Sequence, residues 1–163
     1  MLLDRICIAT DGSDLAVRAA QMGAVLARSG AGHVVAVSVA QPHFSVRDGQ
    51  APLPDAQTEL ARARTAALAH AGTVSRIART SGVSCKIITP LASAPGPEII
   101  RVAEEQGCDL IVMGSHGPND ANTLSTGSVA RYVLSNSAIP VLLLRDPREA
   151  SPPDFADTPA AGQ

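Results

Sequence analysis

Tryptophan is absent, and aromatic side chains make up only 2% of the 163 residues, with one Tyr and two Phe. A core without large rings must be filled by Val, Ile, Leu and Ala. That composition suits parallel strands covered by helices on both faces better than an antiparallel sandwich. Cysteine is nearly as scarce: Cys7, Cys85 and Cys108 lie far apart with no CxxC spacing. An odd, scattered set excludes a disulfide framework and points to a reducing compartment. Cys7 and Cys85 sit in apolar runs and read as small buried hydrophobes. No apolar run approaches the ~18–20 residues that a membrane helix needs. The opening MLLDRICIAT has no basic segment followed by a long apolar core, so no secretory signal is expected. An excess of one charge is missing too: 13 Lys and Arg against 15 Asp and Glu leave a net charge of −2. Nothing electrostatic therefore favours nucleic acid or an anionic membrane as partner. The expectation is a soluble, cytoplasmic protein.

What is present is an alternation. Five short apolar runs read as buried strands: residues 5–9 (RICIA), 34–39 (VVAVSV), 86–89 (KIIT), 110–113 (LIVM) and 141–144 (VLLL). Between them lie helical patterns. The first is capped by Ser13 or Asp14 and ends at Ser29-Gly30. A long Ala-rich one starts at Pro54-Asp55 and ends near Ser81-Gly82. The third is opened by Pro97 and closes at Gly107; the fourth begins around Gly127-Ser128 and stops before Pro140. Five strands alternating with four helices predict a doubly wound, open α/β sheet with right-handed crossovers. The connection 41–53 reads as a surface flap. The chain divides into a domain over residues 1–146 and a Pro/Ala-rich tail, 147–163, too poor in apolar residues to fold.

In such a sheet, ligands bind at the carboxyl ends of the strands, where the strand order reverses. With the first strand central, that point lies between strands one and four. Two loops meet there: Thr10-Asp11-Gly12-Ser13, and the segment GSHGPNDANTLSTGS at 114–128. Gly114 and Gly117 let the backbone turn and expose N–H groups. Gly127-Ser128 stands at a helix start, where unpaired N–H groups and the helix dipole favour an anion. The group such a backbone would receive is a phosphate chain. Turn chemistry alone also accounts for glycines at these places, Ser128 can serve as a plain cap, and Asp11 can close an Asx turn. His116 lies between loop residues and, from the residues alone, reads more readily as a solvated side chain than as a ligand.

The spacing Gly114, two residues, Gly117, nine residues, Gly127-Ser128 resembles the ATP-binding signature of the universal stress protein family. ICIATDGSDLAVRAA is similar to that family's first strand, loop and helix. GCDLIVMGSHG is similar to its fourth strand and turn, and GSVARYVLSNSAIPVLLLR to its last helix and strand, together covering about residues 4–145. The resemblance implies a Rossmann-like domain with strand order 3-2-1-4-5 that binds ATP, accompanied by Mg2+ or Mn2+. It places Ala9, Thr10 and Asp11 near the adenosine and Val39 beside the adenine. Gly114, His116, Gly117, Gly127, Ser128 and Val129 surround the ribose and phosphates, with Met113 at the strand end. It also implies a homodimer through the last strand, residues 140–145, from Pro140 to Arg145.

Two departures stand against this pattern. PNDANTLST, after Gly117, carries no Lys or Arg and adds Asp120, and Ser93 replaces a usual Gly. The chain also lacks a GxxxxGK[ST] loop and any evident general base, so hydrolysis would be slow at most. The leading expectation is a nucleotide-dependent regulatory protein of the stress response. The alternative is a dimeric interaction module of the same fold that binds no ATP, or takes ADP, AMP or cyclic AMP instead.

Overall fold

In the first strand Ile6 and Ile8 turn to one face of the sheet while Cys7 and Ala9 turn to the other, and all four are buried. A strand covered on both sides has no polar face to show, which is why RICIA reads as a continuous apolar run. The structure, a computed structural model, describes residues 3–30, 32–42, 55–116 and 126–146. Its elements run β1 (Arg5–Ala9), α1 (Asp14–Ser29), β2 (His33–Val37), α2 (Ala56–Thr80), β3 (Cys85–Ile88), α3 (Pro95–Glu105), β4 (Leu110–Gly114), α4 (Ser128–Asn136) and β5 (Val141–Leu144).

The five strands form one parallel sheet in the order β3-β2-β1-β4-β5. Helices α1 and α2 cover the Ile6–Ile8 face, and α3 and α4 cover the Cys7–Ala9 face. Ala19, Ala20, Ala24 and Ala27 of α1 are wholly buried. Their small side chains let the helix axis approach the sheet, so Val and Ile fill the layer without aromatic rings. Register pairs Ile6 with Leu110 and Cys7 with Ile111, which brings the carboxyl ends of β1 and β4 side by side.

Most boundaries match the sequence reading, and the exceptions have physical reasons. Helix α3 begins at Pro95 rather than Pro97, because Ala94 holds the extended N-cap conformation and Pro at N1 needs no N–H partner. Strand β2 ends at Val37, two residues before the expected Val39. Beyond it Ala40 makes a lone bridge to Leu91. Cys85 is only partly buried, contrary to the expectation for it, because β3 is an edge strand with one side uncovered. Residues 43–53 of the expected flap 41–53, Pro54, Gly117, Asp120 and the expected tail 147–163 lie outside the described residues.

The cysteines provide a check on this packing. Cys7 is fully buried, and its thiol, hydrogen-bonded to that of Cys108 and desolvated, is raised well above the usual range. Desolvation raises the Cys85 thiol too, but Cys85 is partly exposed where Cys7 is not, so iodoacetamide, which needs access to the thiolate, should label Cys85 slowly on the native protein and reach Cys7 only after unfolding. Peptide mass spectrometry of samples labelled with and without urea reads this out. Native labelling of Cys7 at the rate of Cys85 would contradict the buried register of β1.

Candidate functional site

At the end of β1 the backbone does not stop pairing at once. The Thr10 N–H donates to the Val37 carbonyl at 2.9 Å, prolonging the ladder into the loop. The chain then turns sharply: Thr10 Oγ1 accepts the Gly12 N–H at 3.2 Å, and Asp11 Oδ1 accepts the Ser13 N–H at 2.9 Å. This is the Asx turn that the sequence left open for Asp11. Gly12 takes φ of 80°, a left-handed conformation that a side chain resists. The imidazole of His70, from α2, packs directly on it, and a Cβ at position 12 would stand 2.3 Å from His70 Cδ2. Ser13 then caps α1, its Oγ accepting the Ala16 N–H at 3.2 Å.

The facing rim comes from β4. The Ser115 N–H donates to the Leu144 carbonyl at 2.8 Å, and the Ser115 carbonyl accepts the Gly127 N–H at 2.7 Å. These bonds return the chain to the end of β4 and set the first turn of α4 above the strand ends. His116 is half-buried beside them, its Nδ1 3.0 Å from Ser115 Oγ. Because the Gly127 N–H is already engaged, backbone donors facing outward begin at Ser128.

The four helix starts near this rim are not equivalent. Ser13 caps α1, and Asp55 caps α2 by accepting the Gln57 N–H. In α3, Pro95 and Pro97 remove two of the first-turn donors. Helix α4 has Gly127 as N-cap, with no side chain to accept a hydrogen bond. Its first-turn N–H groups, at Ser128, Val129 and Ala130, have no intrahelical partner by construction. Together with the helix dipole they present partial positive charge.

These rims enclose a cleft of about 440 Å³, within the size range of small-molecule sites. Ala9, Thr10, Asp11, Val39, Met113, Gly114, His116, Gly127, Ser128 and Val129 all line it, so the residues singled out in the sequence meet at one place, apart from Gly117 outside the described residues. The floor is apolar, from Val37, Ile99 and Met113. Among the described residues no cluster of three or more His, Cys, Asp or Glu side chains could hold a metal ion.

The sequence model of the universal stress protein family matches residues 3–145. This chain belongs to that family. Among universal stress proteins of Methanocaldococcus jannaschii, MJ0531 is 32% identical over 149 residues, covering 91% of this chain and 85% of its own. MJ0577 is 41% identical over a shorter stretch of 51 residues, 31% of this chain and 32% of its own. The solved structure of MJ0577 superposes with a TM-score of 0.74 at 23% identity, covering 90% of this chain and 98% of its own. Two solved universal stress proteins carry adenine nucleotides. One, in complex with cAMP, gives a TM-score of 0.63 at 18% identity, covering 89% and 98% of the two chains. The other, from Archaeoglobus fulgidus in complex with dAMP, gives 0.64 at 23% identity, covering 89% and 100%.

In this universal stress protein one wall of the cleft was not foreseen from the sequence. It is the stretch of α2 from Arg62 to His70, which contributes Arg62, Ala63, Ala66, Ala67 and His70. Arg62, Ala66 and His70 are spaced i, i+4, i+8 and so share one face. That stripe is visible in the sequence, but His70 reads there as an isolated histidine, and nothing local says which face of an Ala-rich helix meets the sheet's edge. Arg62 is held in place by Glu59, whose carboxylate accepts from Nε at 2.9 Å and from Nη2 at 3.0 Å. The pairing raises the Arg62 pKa, chiefly through these hydrogen bonds. Glu59 itself is buried at 4% exposure.

Proposed function

We propose that this chain binds ATP in the cleft and acts as a nucleotide-dependent regulatory protein of the stress response, working as a homodimer in the cytoplasm. The observation that carries the reading is the convergence of an uncapped helix start, at Ser128 and Val129, with an apolar floor and the Asp11 turn in one cleft. An apolar base suits the floor, and a phosphate chain suits the free amides of α4. The complexes of related proteins with cAMP and dAMP support the adenine part of the assignment. Mg2+ or Mn2+ fits as a companion of the phosphates: Asp11 is the one carboxylate among the described lining residues, so phosphate oxygens and water would supply most ligands. The chain's own part in this reading is to bind and orient the nucleotide.

The homodimer rests on β5. Among the described residues it pairs only with β4, and its apolar residues are all partly exposed. An apolar edge of this kind pairs with another strand unless protected. Size-exclusion chromatography with light scattering should give twice the chain mass.

The direct test of the ligand is mass spectrometry of small molecules released on mild denaturation, joined to thermal shifts with ATP–Mg2+, ADP, AMP and cyclic AMP. A mass matching ATP and a melting point raised by several degrees are expected. At ligand concentrations about 100 times Kd, linkage predicts about 2.7 kcal/mol of stabilisation. No shift with any adenine nucleotide at millimolar concentration leaves the interaction module as the function of this fold.

A further inference from the structure

Resting on the nucleotide reading, we propose that Arg62 is the residue that distinguishes phosphorylated nucleotide from nucleoside, taking the place of the basic residues missing from 118–126. Arg62 is the one Lys or Arg among the described residues that line the cleft. Asp11 brings a negative charge to the same cleft and opposes a phosphate chain. The segment after Gly117 supplies no positive charge to offset it.

The pairing with Glu59 is what makes Arg62 suited to this. A guanidinium has five N–H donors in one plane. Glu59 takes one from Nε and one from Nη2, which leaves three donors on a group whose plane is fixed. The Arg62 side chain is 68% exposed while that of Glu59 is 5% exposed. The carboxylate is therefore the buried anchor and the guanidinium the presented end. Exposed pairs at i, i+3 add little to stability, and burying a carboxylate is unfavourable unless it is well paired. The pair holds a cation with a fixed plane at the cleft. Bidentate, planar donors are also the geometry that phosphate accepts best.

The test is calorimetric titration of the full chain with adenosine, AMP and ATP, with and without Mg2+. Wild type, Arg62→Met, Arg62→Lys and the double variant Glu59→Gln/Arg62→Met are compared, and melting curves verify folding. The double variant guards against unfolding, since it leaves no buried carboxylate without its arginine. Expected for Arg62→Met and the double variant is a loss of about tenfold in ATP affinity, with adenosine changed less than twofold. Arg62→Lys should recover only part, because an ammonium keeps the charge but not the planar fork. Equal losses for adenosine and ATP, or none for either, would overturn the role of Arg62 while leaving nucleotide binding intact. A wild type that binds none of the three ligands overturns the nucleotide reading and this proposal with it.

Discussion

Replacing Ser128 by Asp is expected to weaken ATP binding about 100-fold while leaving the fold as stable as before or slightly more so. The two effects have opposite signs because they act on the same partial charge. Ser128 is the first residue of α4, exposed at the rim, and its N–H belongs to the uncapped turn. A carboxylate there interacts favourably with the helix dipole, worth about 0.3–1 kcal/mol. It also occupies the position proposed for a phosphate. Two unit charges about 4 Å apart at an effective dielectric near 20 repel by roughly 4 kcal/mol, and salt screening brings this to the order of 3 kcal/mol, or about two decades in Kd. Adenosine, without phosphate, should bind the variant nearly as it binds the parent. Ser128→Ala should cost at most several-fold, since only a hydroxyl is lost and the amides remain. Titration and thermal melting on the same preparations separate the two effects. ATP affinity unchanged by Ser128→Asp would place the phosphates away from α4.

Gly12→Ala is the second large effect, and it falls on stability first. With φ of 80° at this position, an Ala must adopt a left-handed backbone, at about 1–2 kcal/mol. Its Cβ would also lie 2.3 Å from His70 Cδ2 and 2.5 Å from Nε2, so the imidazole must leave its place on the loop. Together these should lower stability by about 2–3 kcal/mol, or roughly 5–10 °C in Tm for a chain of this size. The Asx turn of Asp11 lies in the same four residues, so nucleotide affinity should fall too. A double-mutant cycle with His70→Ala separates the causes. His70→Ala removes the clash but not the backbone strain, so Gly12→Ala should cost less in the His70→Ala background, by about 1 kcal/mol. Equal costs in both backgrounds would mean that the ring moves aside freely and the conformation of Gly12 carries the whole effect.

The legible part of the site followed from local chemistry. Gly-Ser at 127–128 marks a helix start and Asp-Gly-Ser at 11–13 a turn, while Gly114, expected in a turn, closes β4 opposite Leu144; strand order brings the two loops together. The layering was legible for a similar reason. Alternating short apolar runs and longer Ala-rich segments leave few ways to bury both faces of a sheet. Less legible were the ends of elements. Val39 lies past the end of β2, between Ser38 and Ala40, whose N–H groups still donate to Ile88 at the end of β3 and to Pro90 after it, and Pro95 rather than Pro97 opens α3, because single residues at boundaries follow tertiary pairing more than propensity.

By itself the sequence determined the parallel α/β class and the glycine-marked loops at the strand ends, since both depend on periodicity and turn chemistry within a few residues, and the resemblance of three separated segments pointed to the family. Tertiary structure alone decided that Ser115 takes the Gly127 N–H, that His70 seals the Gly12 turn and that a Glu59-anchored Arg62 faces the cleft. The physical reason is rotational. A helix of small side chains can turn about its axis with little change in its own energy, and only packing against a distant loop and strand end selects the face it shows.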